Sequence, residues 1–185
     1  MRKIILDCGG HIGESVKRFK QSSEYDEEFE IYSFEPVAHL AKRYKDSEGI
    51  RFFPKAVWIE DTEIDFYIDR RHDTASGSTL VSTKTSGHID FGHPSKVQAI
   101  NFSKWIVETF SASDYIILKM DIEGAEYQVL PHMIATGAIN YVNKAYIEFH
   151  SHKIGVPSSD HDDLIKKLRA VEGLSLLPEM HKVLK

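Results

Sequence analysis

The sequence predicts an α/β fold in which a mostly parallel central sheet carries helices on both faces. Short apolar segments alternate with amphipathic segments in the first part of the chain, and the same alternation returns after residue 114. Glycine and acidic residues follow the apolar segments. Such alternation is typical of parallel strands that are joined by helical crossovers. We expect residues 1–185 to form one domain, in which residues 59–114 are inserted between the third and fourth strands.

The first 58 residues are typical of a β-α-β-α-β unit. The apolar segment Ile4–Leu6 stops at a glycine-rich turn, which is typical of a buried strand. Val16 and Phe19 lie three residues apart, which places both on one face of a helix. The predicted elements are a strand at Ile4–Leu6, a helix at Glu14–Gln21, a strand at Ile31–Phe34, a helix at His39–Asp46 and a strand at Phe52–Trp58.

Residues 59–114 interrupt this alternation. Polar and apolar side chains alternate over Glu63–Asp69, which predicts an antiparallel strand with one exposed face. Arg70–Ser95 is rich in small and polar residues and predicts a long loop, and long loops in compact domains are often binding elements. A strand is expected at Lys96–Ile100 and a helix at Phe102–Phe110.

The alternation of strands and helices resumes with a strand at Tyr115–Met120, which ends in Asp121. Apolar residues line one face of the helix predicted at Glu126–Thr136. Ser159 is suited to cap a further helix, which we expect to stop at Gly173. Strands are also predicted at Lys144–Phe149 and Leu174–Leu177.

The charge balance excludes some classes of partner. Lys and Arg total 23 against 28 for Asp and Glu, so the net charge is −5 and disfavours general binding to nucleic-acid phosphates. The single cysteine, Cys8, allows no internal disulfide and suits a reducing compartment. Asp7 ends the first apolar run too early for a signal peptide, and no segment approaches the roughly 20 apolar residues of a membrane span. We expect a cytoplasmic protein with no nucleic-acid or membrane partner.

Acidic residues lie at the carboxyl ends of three different predicted strands, at Glu35, Asp121 and Glu148. The carboxyl ends of parallel strands meet at one edge of a sheet, and ligands bind there in open α/β folds. The sequence therefore predicts a single site at this edge.

The turn Asp7–Gly13 is the first signal for a ligand, because glycine lets the backbone approach closely and the next helix offers free N–H groups. Cys8 replaces the first glycine of the dinucleotide pattern, and Asp7 would repel a pyrophosphate. Glu35 follows Gly13 by 22 residues, near the spacing at which an acid binds ribose hydroxyls. An adenosine-containing ligand is indicated; the alternatives are a tight turn without a ligand and a surface carboxylate before Pro36.

The third signal is the segment Lys119–Glu126, with the sequence KMDIEGAE. Together with Asp7–Gly13 and Phe34–Pro36, this segment resembles the FkbM family of S-adenosylmethionine-dependent methyltransferases. Weaker matches are found at Ala56–Val57, Ser76–Leu80 and Ile147–His150. The resemblance spans about residues 4–150 and implies a Rossmann-like methyltransferase fold.

The resemblance also implies O-methylation of a sugar, glycan or related natural product, with S-adenosylmethionine as cofactor. By position, Asp7, Gly9 and Gly13 would line the methionine part, Glu35 would hold the ribose, and Asp121 would lie at the methyl-transfer centre. The full set of expected cofactor-binding residues is Asp7, Gly9, Gly10, His11, Gly13, Glu14, Glu35, Pro36, Ala56, Val57, Ser78 and Asp121.

Methyl transfer is an in-line displacement in which the acceptor hydroxyl must lose a proton. The candidate bases are Asp121, Glu148 and His150, and side chains 148, 150 and 152 would share one face if the strand continued that far. Lys119 is expected to be buried beside an acid and completes the catalytic set. A carboxylate pair here could also hold a divalent cation that acidifies the hydroxyl, although no residues are assigned as metal ligands.

The inserted loop is the expected acceptor-binding element, and the alternative is a plain surface loop. Its polar candidates are Arg70, Arg71, His72, Asp73 and Ser78. The chain begins at its first strand without the helical cover usual in the family and ends soon after its last long helix. We therefore expect a second copy of the chain or a neighbouring glycan-synthesis enzyme to complete the site.

Two rival functions stay open at this point. A nicotinamide-dependent oxidoreductase would use the same type of fold, although Cys8 and Asp7 disfavour it. A cofactor-binding module without activity of its own, which serves a partner, is the second rival.

Overall fold

A computed structural model describes residues 1–44, 49–71 and 75–184. The strands are β1 (Lys3–Cys8), β2 (Phe29–Phe34), β3 (Ile50–Phe53), β4 (Ala56–Trp58), β5 (Thr62–Phe66), β6 (Ser95–Asn101), β7 (Tyr115–Met120), β8 (Lys144–Ile147) and β9 (Ser175–Leu177). The helices are α1 (Glu14–Gln21), α2 (Phe102–Thr109), α3 (Glu126–Thr136), α4 (Ser151–Ile154), α5 (Ser158–Arg169) and α6 (Met180–Val183), with 3₁₀ helices at Ala38–Arg43 and Ala138–Tyr141.

The central sheet is parallel and has the strand order β3-β2-β1-β7-β8-β9. The order reverses between β1 and β7, where Asp7 pairs in register with Ser33 on one side and Lys119 on the other. Such a reversal leaves a crevice at the carboxyl ends of the strands. The predicted α/β fold is confirmed, and the edge at which a ligand site is predicted has its crevice between β1 and β7.

Alternate side chains of β1 pack on opposite faces of the sheet. Ile4 and Leu6 belong to an apolar core that also contains residues of α2, α3 and α5. Ile5 belongs to a smaller core with Val16 and Phe19 of α1. Both faces of β1 are therefore buried under helices, which explains why its sequence is continuously apolar. Among the described residues, no helix is both long and apolar enough to span a membrane.

The third predicted strand, Phe52–Trp58, is wrong as a single element. It splits at Pro54 into β3, which joins the central sheet, and β4, which joins a second sheet with the order β4-β6-β5. Proline has no backbone N–H and cannot continue the hydrogen-bonding ladder of a sheet. β4 is parallel to β6, and β5 is antiparallel to it, as expected for the alternating segment.

Two helices also differ from their predicted bounds, which rested on local sequence preferences alone. The helix predicted at His39–Asp46 is a 3₁₀ helix at Ala38–Arg43, and residues 45 and 46 lie outside the described residues. The last long helix, α5, is capped at Pro157 rather than Ser159 and ends at Arg169, before Gly173. By contrast, the predictions for β7, α1 and α3 are confirmed residue for residue.

An aromatic cluster fastens α2, the last helix of the inserted region, to the central sheet. Phe102 is fully buried and packs edge-to-face against Phe34 of β2, with ring centroids 5.5 Å apart. Trp105 packs against the same Phe34 and against Phe53 of β3. Such ring pairs add to the free energy of burial.

Replacement of Phe102 by Ala should therefore lower the free energy of unfolding by about 3–5 kcal/mol, because it leaves a cavity between α2 and the sheet. Val107, on the exposed face of the same helix, is the control, and Val107→Ala should change stability by less than about 0.5 kcal/mol. Urea denaturation followed by circular dichroism measures both. Equal losses in the two variants would contradict this packing.

Candidate active site

Two adjoining clefts open at the carboxyl ends of the central strands. We name them the Glu35 cleft, beside the end of β2, and the Glu148 cleft, beside the end of β8. They share Gly9, His11 and Asp121, which follow β1 and β7. The other predicted site residues on the Glu35 cleft are Glu35, Pro36, Ala56, Val57 and Ser78. Those on the Glu148 cleft are Gly10, Glu14, Lys119 and Glu148.

The glycine turn after β1 contacts the ends of both neighbouring strands, β2 and β7. The backbone N–H groups of Gly9 and Gly10 both donate to the Phe34 carbonyl of β2, at 3.0 Å. Gly9 has φ +75°, and a Cβ atom there would lie 1.9 Å from the Asp121 carbonyl oxygen. Only glycine permits this approach, which brings the turn and the end of β7 together.

Asp7 lies beneath the turn rather than in a cleft wall. Its fully buried carboxylate accepts hydrogen bonds from Ser15 Oγ at 2.9 Å and Ser33 Oγ at 2.8 Å. Gly13, with φ +86°, caps α1 and also lines neither cleft. The structure therefore gives Asp7 and Gly13 supporting positions instead of the lining positions expected, because the last residues of β1 are enclosed by α1 and β2.

Glu35 is held by the backbone at the wall of its cleft. Its carboxylate oxygens accept the N–H groups of His11 at 2.9 Å and Val37 at 2.8 Å. Burial to 6% exposure raises the pKa of Glu35, although both N–H donors oppose the change. A carboxylate has about four acceptor positions, so each oxygen can accept another hydrogen bond from a ligand. The alternative of a plain surface carboxylate is wrong.

Lys119 connects the turn to β7. Its buried ammonium donates to the Gly9 carbonyl at 2.7 Å and lies 3.4 Å from Asp7 and 3.8 Å from Asp121. Burial lowers the pKa of Lys119, but the two carboxylates outweigh this and raise it. The predicted burial beside an acid is confirmed, and Lys119 stays charged at neutral pH.

His150 lies behind the Glu148 cleft, surrounded by carboxylates. It is 1% exposed and lines neither cleft. Nδ1 lies 3.0 Å from Glu126, and Nε2 lies 3.3 Å from Glu148, 3.6 Å from Glu123 and 3.7 Å from Asp121. The expected neighbourhood of Asp121, Glu148 and His150 is therefore present, with two further glutamates.

The shared face expected for residues 148, 150 and 152 is not present. β8 ends at Ile147 and α4 begins at Ser151, so strand alternation does not reach His152, which is exposed. His150 occupies the N-cap position of α4 without a side-chain capping hydrogen bond, and its ring is buried.

Glu126, the first residue of α3, supports the turn that precedes its helix. Its fully buried carboxylate accepts the N–H groups of Ile122 at 2.9 Å and Gly124 at 2.8 Å, and contacts His150. The acid thus closes the turn that follows β7. In the sequence, only its position at the end of the KMDIEGAE segment indicated that Glu126 belongs to the site.

The carboxylates in this cluster differ in their affinity for protons. Burial, which outweighs the opposing effect of Lys119, raises the pKa of Asp121 to about 6. Burial alone would lower the pKa of His150, but Glu126 and Glu148 raise it to about 10. The contact with His150 in turn lowers the pKa of Glu148.

The inserted loop closes over this cluster. Thr79 Oγ1 donates to the Glu123 carbonyl at 2.7 Å, and the buried ammonium of Lys84 lies 2.8 Å from the Glu123 carboxylate. Lys153, from α4, contacts the same carboxylate oxygen at 3.0 Å. Sequence reasoning missed both lysines, because only the folded loop brings them to Glu123.

Of the loop residues proposed for acceptor binding that the structure describes, only Ser78 lines a cleft. Ser78 lines the Glu35 cleft, whereas Arg70 and Arg71 line neither cleft and Arg71 pairs with Asp69 at 2.6 Å. His72 and Asp73 lie outside the described residues. The inserted region therefore lines the Glu35 cleft, while α1 and residues 179–181 line the Glu148 cleft.

Sequence comparison shows the family to which the chain belongs. A family model described as the methyltransferase FkbM domain matches residues 7–172, which is most of the chain. The chain belongs to the FkbM methyltransferase family. This membership confirms the family resemblance stated above. No curated protein sequence matches this FkbM-family chain.

A solved structure agrees with the fold of this FkbM-family chain. The crystal structure of methyltransferase FkbM from Methylobacillus flagellatus KT superposes with a TM-score of 0.52 at 16% sequence identity. The match covers 92% of this chain and 37% of that one, so this chain spans little more than a third of that protein. At this identity, the similarity confirms the fold alone.

Substitution of Gly9 by Ala should separate the glycine turn from β7. Gly155→Ala is the matched control, because Gly155 also has a positive φ, +73°, but open space around it. The left-handed backbone costs about 1–2 kcal/mol in both variants. The contact with the Asp121 carbonyl should cost Gly9→Ala about 1–3 kcal/mol more, as measured by urea denaturation. Equal losses in the free energy of unfolding of the two variants would show that the contact between Gly9 and the Asp121 carbonyl does not contribute to stability.

Proposed function

We propose that this FkbM-family domain transfers the methyl group of S-adenosylmethionine to a hydroxyl of a sugar, glycan or related natural product. The observation that carries the proposal is Asp121 at the junction of two clefts, one of which presents Glu35. The Glu35 cleft would hold the cofactor, and the Glu148 cleft would hold the acceptor.

The Glu35 cleft has the groups that an adenosine requires. Glu35 keeps acceptor capacity on both oxygens, which suits the two adjacent hydroxyls of a ribose. Phe34, Val57 and Ile122 give this cleft apolar walls that suit the adenine ring. The sulfonium would then lie near Asp121, whose negative charge stabilises it.

The Glu148 cleft suits a hydroxylated acceptor. Its lining includes the polar side chains of Glu148, Glu14 and Arg18 and the aromatic ring of Tyr146. Hydroxyl groups can donate to the carboxylates, while the ring offers an apolar face. A hydroxyl held here would face the sulfonium methyl across Asp121.

Asp121 is the proposed proton acceptor because of where it lies. Its side chain is 34% exposed and lines both clefts, whereas His150 reaches neither. The new O–CH₃ bond forms as the S–CH₃ bond breaks, which releases S-adenosylhomocysteine, and the hydroxyl proton passes to Asp121. Of the remaining predicted catalytic residues, Glu148 touches the acceptor, while Lys119 and His150 position the acids.

The first test concerns the cofactor. Titration calorimetry should detect binding of S-adenosylhomocysteine but not of NAD. Glu35→Gln should weaken binding of both S-adenosylhomocysteine and adenosine by the same factor, about 10- to 100-fold, because it removes charge-assisted hydrogen bonds to the ribose. Glu28→Gln, at the other end of β2, is the exposed control and should change neither affinity. Binding of NAD instead would favour an oxidoreductase and contradict the proposal.

The second test concerns the reaction. Wild-type protein should transfer a labelled methyl group from S-adenosylmethionine to a hydroxylated acceptor in a panel of sugars and glycans. Asp121→Asn should slow this transfer by about 10²- to 10⁴-fold, because the hydroxyl loses its proton acceptor. Asp163→Asn, an exposed carboxylate on α5, is the control. An Asp121 variant as fast as wild type would refute the assignment, and binding without transfer to any acceptor would favour the inactive module.

A further inference from the structure

One ring nitrogen of His150 is buried without a hydrogen-bond partner. Nε2 makes no hydrogen bond of acceptable geometry among the described residues. Its contacts with Glu148, Glu123 and Asp121, at 3.3, 3.6 and 3.7 Å, are with oxygen atoms only. The side chain is 1% exposed, so Nε2 is shielded from bulk solvent. A buried nitrogen that makes no hydrogen bond and faces three carboxylates is positioned to bind a cation together with them.

Glu126 fixes which nitrogen faces the carboxylates. It accepts two backbone N–H groups, so it is held as an acceptor, and His150 Nδ1 lies 3.0 Å away. This contact keeps a proton on Nδ1 and directs Nε2 at Asp121, Glu123 and Glu148. The raised pKa of His150 places a proton on Nε2 as well when no cation is bound, and a cation at Nε2 would displace that proton. A histidine that donates one N–H to a carboxylate and presents its other nitrogen is the usual arrangement of a metal-ligating histidine.

The distances suit a shared ion. One ligand atom from each of Asp121, Glu123 and His150 lies within 4.8 Å of the others. An ion held about 2.1 Å from six ligands places neighbouring ligand atoms roughly 3 Å apart and opposite ones roughly 4.2 Å apart. A nitrogen and two carboxylates favour a transition ion over Ca²⁺, because imidazole suits first-row transition metals and carboxylate suits Mn²⁺.

The charge around the cluster leaves room for a cation. Five carboxylates and three ammonium groups form one connected network: Asp7, Asp121, Glu123, Glu126 and Glu148 with Lys84, Lys119 and Lys153. When a cation takes the place of the Nε2 proton, His150 is neutral and the carboxylates exceed the ammonium groups by two negative charges. Lys84 and Lys153 hold the Glu123 carboxylate beside His150, and a bound ion would share this carboxylate with them.

We propose that Asp121, Glu123 and His150 bind a divalent transition-metal ion, for which Mn²⁺ is the probe. The inference rests on the proposed function for its purpose: an ion at Asp121 would lie beside the Glu148 cleft and could bind the acceptor hydroxyl. A bound metal lowers the pKa of such an oxygen, so the proton would leave more readily. Glu126 is then a positioning residue, because it orients His150 without touching the ion.

Mn²⁺ binding to the full chain, without cofactor or acceptor, tests this site. Electron paramagnetic resonance follows the loss of the free Mn²⁺ signal, and pulsed measurements detect a directly bound nitrogen. We expect one bound ion with a nitrogen ligand. His150→Gln should abolish the nitrogen signal and weaken binding more than 100-fold, while Glu126→Gln should weaken it by about 10- to 100-fold. Asp121→Asn, on a partly exposed side chain, gives the same test if the buried variants do not fold.

His181→Ala is the control, because Glu148, Glu179 and His181 form a second, more exposed group that could attract Mn²⁺. It should leave Mn²⁺ affinity unchanged. Loss of binding in His181→Ala, or an unaltered nitrogen signal in His150→Gln, would overturn the proposal. Absence of Mn²⁺ binding would overturn it too and would assign a proton to Nε2. Calorimetry with S-adenosylhomocysteine on the same metal-free sample separates this failure from failure of the methyltransferase proposal.

Discussion

The close approach of the glycine turn to the end of β7 is the constraint on which both clefts depend. The Asp121 N–H donates to the Cys8 carbonyl at 3.1 Å, so β1 and β7 stay paired up to the reversal of strand order. Because Gly9 has no side chain, the turn can contact the Asp121 carbonyl. The Lys119 ammonium holds the turn in this position through its hydrogen bond to the Gly9 carbonyl. Because Gly9 and Asp121 line both clefts, their contact sets the distance between a ligand in one cleft and a ligand in the other.

Around this contact the chain concentrates acidic groups and supports each in a different way. Backbone N–H groups hold Glu35 and Glu126, while lysines hold Asp7 and Glu123. Burial of a charge is unfavourable unless the charge is paired or hydrogen-bonded. A sheet edge with this many supported carboxylates is therefore suited to positively charged or hydroxyl-bearing ligands. The net charge of −5 is thus partly a local property of one edge of the sheet.

The sequence alone predicted the central sheet well, because buried parallel strands are short apolar segments and their carboxyl ends share an edge. That rule correctly predicts that Glu35, Asp121 and Glu148 lie at one edge of the sheet, on two clefts that meet at Asp121. It failed at Phe52–Trp58, where Pro54 diverts the chain into a second sheet. The depth of Asp7, the supporting role of Glu126 and the lysines on Glu123 could not be predicted. Each of these features depends on how elements far apart in the sequence pack together, and the local pattern of apolar residues carries no information about that packing.

A crystal structure of the chain with S-adenosylhomocysteine tests the central claim most directly. We expect both ribose hydroxyls to donate to Glu35 and the sulfur to lie beside Asp121, facing the Glu148 cleft. A ribose bound away from Glu35, or a sulfur turned away from the Glu148 cleft, would contradict the assignment of the two clefts.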